Sequence, residues 1–256
     1  MSPASVIITA LDGIPHVRPG DNLDSLLIAA LDRAGLAPRP FDVLVVAQKI
    51  VSKAEGRLLD LSTVTPSPRA REIAAIAGKD ARLVEAILQE SVEVVRVKRG
   101  VVIVAIRGGL VMANAGIDRS NLDPEDRDRR VLLLPAAPDR SAEQLKARLD
   151  AHYATDIGVI ISDSVGRAWR LGSIGLAIGA AGLPALQDRR GEPDLSGRQL
   201  EVTEVGFADA VAAAAVLVMG EAAEGRPAAL VRGLNWKQKP SSAAALARPK
   251  SEDLFR

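Results

Sequence analysis

The stretch Val159–Gly182, VIISDSVGRAWRLGSIGLAIGAAG, decides how the rest of the chain is read. An apolar run of β type leads into Asp163 and Ser164. Trp169 then stands between Arg167 and Arg170, and glycines recur at 172, 175, 179 and 182. Ile157–Ser162 is expected to be a buried strand that delivers Asp163 at its C-terminal edge, where open α/β sheets place ligands. A carboxylate there can hold a hard cation, with Ser164 as a second oxygen ligand or simply a turn residue. Arg167 and Arg170 suit a carboxylate or phosphate, and a solvated basic loop is their plainer explanation. An Asp that caps the next turn explains Asp163 about as well. Glycines spaced by three and four serve close packing as readily as phosphate contact, and they form neither a Walker A motif nor G-x-G-x-x-G. Taken alone, the run points to a metal-bound phosphorylated ligand.

Bulk composition narrows the partners. The chain has 256 residues, 48% hydrophobic and 25% charged, which is ordinary for a globular protein. Its 33 basic and 32 acidic residues leave a net charge of +1, so no polyanion-coating role is indicated. Aromatics at 2% provide no stacking platform for bases, and nucleic acid is not an expected partner. The absence of cysteine excludes disulfides, thiolate zinc sites and cysteine nucleophiles. The N-terminal MSPASVIITALDGIP has no basic region ahead of its apolar run, and no stretch reaches the ~18 apolar residues of a membrane span. A cytoplasmic protein with no membrane partner is expected. His16 and His152 are the only histidines, which leaves no histidine-rich metal site and no Ser-His-Asp triad. Chemistry then falls to carboxylates, lysines, arginines and hard metals, the set that best serves phosphoryl transfer.

The remaining elements alternate irregularly. Strands are expected at Val6–Thr9, Phe41–Ala47 and Leu200–Val205, with a hairpin from Glu93–Lys98 and Val101–Arg107. Helices are expected at Asp21–Ala34, Arg69–Ala77, Ala81–Glu90, Ser141–Tyr153 with Ser141 as N-cap, and Ala208–Met219 ending at Gly220. Such a mixture indicates an α+β (mixed α/β) fold. Gln48, Lys49, Ser52 and Lys53 leave the second strand together. On a helix Lys49 and Lys53 share a face and repel unless an anion bridges them, although two surface lysines are the commoner case. Asp118 and Asn121 follow a Gly108-Gly109 turn, and the small residues Ala113–Gly116 leave room for something against the backbone. An Asx-turn accounts for a lone D-x-x-N equally well. Glu221 falls on a loop after the alanine-rich helix. The tail from Lys237 is expected to fray.

Four segments in this order, VVAQKIVSKAEGR, NAGIDRSNL, ISDSVGRAWRLGSIGLAIGAAGL and EVTEVGFADAVAAAAVLVMGEAAEG, resemble the coenzyme F420-0:L-glutamate (gamma-glutamyl) ligase family. The similarity runs from about Ile14 to Trp236 and matches the stand-alone form. The resemblance implies a family-specific ligase fold, neither P-loop nor ATP-grasp. Residues 1–236 would form one ligase unit, with the option of two closely packed subdomains, and 237–256 a C-terminal tail. It implies GTP-dependent joining of L-glutamate to the deazaflavin coenzyme F420-0 through an acyl phosphate, with Mg²⁺ or Mn²⁺, activation by K⁺, and a homodimer. Carried over by motif, Asp118, Asp163 and Lys53 would be catalytic, and Asp118, Asp163, Ser164 and Glu221 would hold metal. GTP would meet Ile14, Pro15, His16, Val17, Gln48, Lys49, Lys53, Asn121, Met219, Gly220, Glu221, Gly225 and Arg226. Arg167, Trp169 and Arg170 would face the acceptor. Leu171 and the Gln48-Lys49 pair depart from the family pattern and motivate a rival, a glutamyl ligase on another pterin- or furan-type coenzyme. A non-catalytic nucleotide-binding protein of the same fold is the alternative from another class.

Overall fold

A computed structural model describes residues 5–120, 122, 126 and 128–253. The strands are β1 (Ile7–Ala10), β2 (Val43–Ala47), β3 (Leu58–Asp60), β4 (Ser91–Lys98), β5 (Val101–Ile106), β6 (Val111–Ala113), β7 (Arg130–Leu132), β8 (Gly158–Gly166), β9 (Ser173–Ala181), β10 (Leu186–Asp188), β11 (Glu204–Gly206) and β12 (Ala228–Arg232). The α-helices are α1 (Leu23–Arg33), α2 (Gln48–Ala54), α3 (Pro68–Ala77), α4 (Ala81–Gln89), α5 (Pro138–Tyr153) and α6 (Phe207–Met219). The architecture is mixed α/β.

A strand covered on both faces must be apolar at every position, and VLVVA in β2 meets that demand. It lies at the centre of a five-stranded sheet of order β1-β12-β2-β8-β9. Leu44, Val46, Val159 and Ile161 pack against Leu27 and Leu31 of α1 and Leu145 and Leu149 of α5. Val43, Val45 and Ile160 face the other way, onto Val211, Ala212 and Ala215 of α6. A separate core sits where α3 and α4 cover the β4-β5-β6 sheet, around Ile73, Ile87, Val102 and Val104. Within the main sheet only β2 and β8 run parallel; the other pairs are antiparallel.

The glycine-rich stretch is strand β9, and its glycines are packing positions. A Cβ on Gly175 would sit 2.6 Å from the Ala212 carbonyl oxygen of α6, and one on Gly179 would sit 2.4 Å from the Pro138 carbonyl of α5. These two glycines face opposite sides because the β8–β9 register shifts between Ile161 and Ser162. Helices thus approach both faces of β9 at backbone distance.

Several local expectations are corrected. The strand expected at Ile157–Ser162 continues to Gly166, so Asp163 lies within β8 and not at its end. Helix α5 starts at Pro138, one turn before Ser141. The buried Ser141 hydroxyl donates to Glu55 Oε1 at 2.5 Å instead of capping the helix. Of Leu200–Val205, only the end is a strand, as part of β11. The space expected beside Gly116 is filled by Leu134, 2.8 Å from where a Cβ would stand. The tail does not fray at its start: Ser241 Oγ accepts the Ala185 N–H at 2.9 Å, and Ala243 is buried.

The close approach of α5 to β9 has a direct consequence. Gly179→Ala should lower the unfolding free energy by about 1–3 kcal/mol, the usual range for overpacking a tight core. Urea unfolding measures it, and an unchanged midpoint would contradict the packing described.

Candidate active site

The pairing of β2 with β8 ends with Ala47 opposite Ser162. The next residues, Gln48 and Asp163, therefore leave the pair side by side, where parallel strands commonly present ligand groups. Helix α2 begins at Gln48 with no intervening loop. Gln48 is almost fully buried; its side-chain oxygen accepts the Ser52 hydroxyl at 2.9 Å, and its side chain hydrogen-bonds Asp163.

A cavity of about 380 Å³ opens above this junction. Gln48, Lys49 and Lys53 come from α2, and Ser162, Asp163 and Ser164 from β8. One wall is Ile14–Val17, and the other is the segment from Met219 to Pro227. The two walls are tied together by an ion pair, Arg226 Nε to Asp12 Oδ1 at 2.8 Å. Arg33 donates to the Asp12 and Gly13 carbonyls at 3.1 and 3.3 Å and anchors the first wall to α1. The second wall begins at Gly220, whose φ of +78° turns the chain so tightly that a Cβ would lie 2.2 Å from Glu224.

Two carboxylates stand beside this cavity in different surroundings. Asp118 is fixed by backbone hydrogen bonds with Leu132 and forms an Asx-turn, its Oδ1 accepting the Ser120 N–H at 2.7 Å. Its Oδ2 accepts the Ser120 hydroxyl at 2.8 Å and pairs with Lys49 Nζ at 2.7 Å. Burial pulls the Asp118 pKa upward, but the Lys49 ammonium and Ser120 outweigh it and hold the group below the usual carboxylate value. Asp163 is pushed up to about 6, chiefly by burial, with the charge of Asp118 adding to the effect. The Ser164 N–H, Lys49 and Gln48 offset only part of that. Ser164 Oγ donates to Glu221 Oε1 at 2.8 Å, so Glu221 does approach the β8 carboxylate region.

Most of the site residues expected from the sequence meet at one place. Ile14, Pro15, His16, Val17, Gln48, Lys49, Lys53, Asp163, Ser164, Met219, Gly220, Glu221, Gly225 and Arg226 all line the cavity. Asp118 stands just behind Lys49. Asn121 lies outside the described residues. Arg167, Trp169 and Arg170 are not brought in: Arg167 donates to the Gly172 carbonyl at 2.9 Å and closes the β8–β9 turn, while Trp169 is 83% exposed. Leu171, at 98% exposure, sits on the same turn away from the cavity. Two residues were missed. Ser120 clamps Asp118, and its D-x-S spacing was a legible Asx signal. Asp12 pairs with Arg226 across the fold, and nothing local announced it.

Among the described residues no cluster of three histidine, aspartate or glutamate side chains forms a dedicated metal cage. The hard oxygens come instead in pairs, Asp118 with Asp163 and Ser164 with Glu221. A magnesium-type cation is commonly held by one or two carboxylates, with phosphates and water completing its shell. The donor set fits a hard cation that arrives with a polyanion. No described helix is long and apolar enough to cross a membrane.

Carboxylates, a lysine-bearing helix and two clasped loops meet around one cavity on a mixed α/β frame, a set of groups that could hold a polyanion and a hard cation. The family described as F420-0:Gamma-glutamyl ligase matches residues 13–233. The coenzyme F420:L-glutamate ligase of Methanothermobacter thermautotrophicus is 45% identical over 253 residues, 98% of this chain and 99% of that protein. The Methanopyrus kandleri protein of the same name is 46% identical over 244 residues, covering 94% and 93%. That of Archaeoglobus fulgidus is 41% identical over 251 residues, covering 98% and 96%. The chain belongs to the F420-0:gamma-glutamyl ligase family and is a ligase.

The raised pKa of Asp163 carries a stability signature. Between about 4 and 6 the folded state holds a proton that the unfolded state has lost, so this group's contribution to stability falls as pH rises through that window. Above pH 6 it destabilises the metal-free fold by about 1–3 kcal/mol. Asp163→Asn should therefore raise thermal stability at pH 7–8, with the gain shrinking toward pH 4. Melting curves in chelator across that range test this; a variant less stable at pH 8 than the parent would contradict it.

Proposed function

We propose that this protein joins L-glutamate to coenzyme F420-0 in a GTP-dependent reaction through an acyl phosphate. The observation that carries the reading is the convergence of the α2 lysines, Asp163–Ser164 and the Met219–Pro227 wall on one cavity in a chain of this family. The γ-phosphoryl group passes to the terminal carboxylate of the coenzyme and GDP leaves. The glutamate amine then attacks the acyl carbon and the C–O bond to phosphate breaks. The products are the amide, phosphate and a released proton.

Positioning and charge neutralisation dominate phosphoryl transfer, and the cavity supplies both. Lys53 and Arg226 meet phosphate oxygens, and Ile14–Val17 with Met219–Gly225 enclose the nucleoside. Asp118, Asp163, Ser164 and Glu221 would hold Mg²⁺ or Mn²⁺, which neutralises phosphate charge when bound. K⁺ activation and a homodimer complete the proposal. Exposed Trp169, Leu171 and Leu195 give apolar surface that a second copy would cover. Because Leu171 lies outside the cavity, its departure from the family pattern does not bear on the nucleotide side.

Incubation with GTP, Mn²⁺, L-glutamate and F420-0 should add one glutamyl mass to the coenzyme and release phosphate. Asp163→Asn should lower turnover by at least about 100-fold, as expected when a metal's protein environment is broken. GTP binding without any mass gain would sink the ligase reading, and normal turnover by the variant would sink the metal assignment.

A further inference from the structure

Lys49 stands oddly for a residue that only grips phosphate. It shares α2 with Lys53, yet its ammonium lies 2.7 Å from Asp118 Oδ2 and 2.6 Å from Ser120 Oγ. Asp118 Oδ2 also accepts the Ser120 hydroxyl at 2.8 Å, so both lone-pair positions of that oxygen are occupied. Among the described residues, Asp118 Oδ1 accepts the Ser120 N–H. A divalent cation binding through Oδ2 must displace one donor, and a cation binding through Oδ1 meets an ammonium at close range. Ser120 is tethered two residues away in the same Asx-turn and holds Asp118 through two bonds. Lys49 reaches over from another element on a flexible four-carbon stem, so Lys49 is the donor that gives way.

We propose that Lys49 is a resident counter-ion of Asp118 that competes with the divalent cation for this carboxylate and is drawn off by nucleotide phosphates. The inference rests on the nucleotide-and-metal reading above and adds an order of events to it. Without nucleotide, the ammonium keeps Asp118 and Asp163 from facing one another uncompensated and keeps metal affinity low. Phosphates entering from the Lys53 side offer Lys49 a stronger anionic partner. Asp118 is then released to the cation as the nucleotide arrives. Lys49 is in this sense a positioning residue, acting on metal through Asp118.

Binding measurements test the idea without turnover. Mn²⁺ is titrated into nucleotide-free protein and free ion is followed by electron paramagnetic resonance, for wild type, Lys49→Gln and Lys49→Arg. Lys49→Gln should bind Mn²⁺ about tenfold more tightly than wild type, the scale of losing one half-exposed competing ion pair. Lys49→Arg keeps the charge and should stay near wild type. In EDTA, GTP affinity of Lys49→Gln should fall several-fold. Mn²⁺ binding to Lys49→Gln that is no tighter than wild type overturns the competition, as does equal tightening in Lys49→Arg. Unchanged GTP affinity in EDTA overturns the hand-over. Lys49 is partly solvent-exposed, and a thermal melt confirms that each variant is folded. Because no step needs F420-0 or glutamate, failure of the ligase reading would show in the mass assay and not here.

Discussion

The parallel pairing of β2 with β8 is the constraint on which the rest depends. It is the one parallel contact in the main sheet, and it ends with Ala47 opposite Ser162. That register alone sets Gln48 and the two lysines of α2 beside Asp163. The pair can only be held at the sheet centre if both strands are apolar on both faces, and two separate cores, one under α1 and α5 and one under α6, meet that need. A slip of one residue would turn Asp163 to the opposite face and dismantle the site. The glycines of β9 serve the same end, because they let α5 and α6 close on the neighbouring strand.

Electrostatics at the junction follow from this geometry. A carboxylate carried on a buried strand is penalised for its charge, and Asp163 is held near 6 as a result. Asp118, anchored from β7 and paired with Lys49, keeps its charge readily. The two acids thus differ in how readily they carry charge, because their surroundings differ. Stability surrendered at Asp163 is the expected companion of function placed at a sheet centre.

Much of this was legible in the chain. VLVVA and VIIS read as buried strands because apolar residues run through them, and the helices expected at Asp21–Ala34 and Arg69–Ala77 form as α1 and α3, which the structure caps with Asn22 and Ser67. The start of α5 was misjudged because Ser141 with Glu143 imitates a cap, while Pro138 at the first turn carried the better signal. Leu200–Val205 alternates like a strand, but pairing is a tertiary event and only its end finds a partner in β10. The tail looked polar and loose, yet the Ser241 N–H donates to the Leu183 carbonyl and the Ala243 N–H to the Asp139 carboxylate, and these bonds hold it. At the site, the residue types were readable and their partners were not. Lys49 meets Asp118 and Ser120 from a distant segment, and Asp12 meets Arg226 from the other end of the chain. The basic turn at 167–170, expected to face the acceptor, follows Asp163 closely in sequence but does not line this cavity. A strand that runs on to Gly166 carries it away.

In the proposed function, Asp118 and Asp163 would share one divalent cation at the end of the β2–β8 pair. A crystal structure with Mn²⁺ and a non-hydrolysable GTP analogue, read by manganese anomalous scattering, tests it most directly. A peak within about 2.0–2.3 Å of a carboxylate oxygen from each residue is expected, with Lys49 turned toward the phosphates. A peak that touches neither aspartate, with Lys49 still on Asp118, would contradict it.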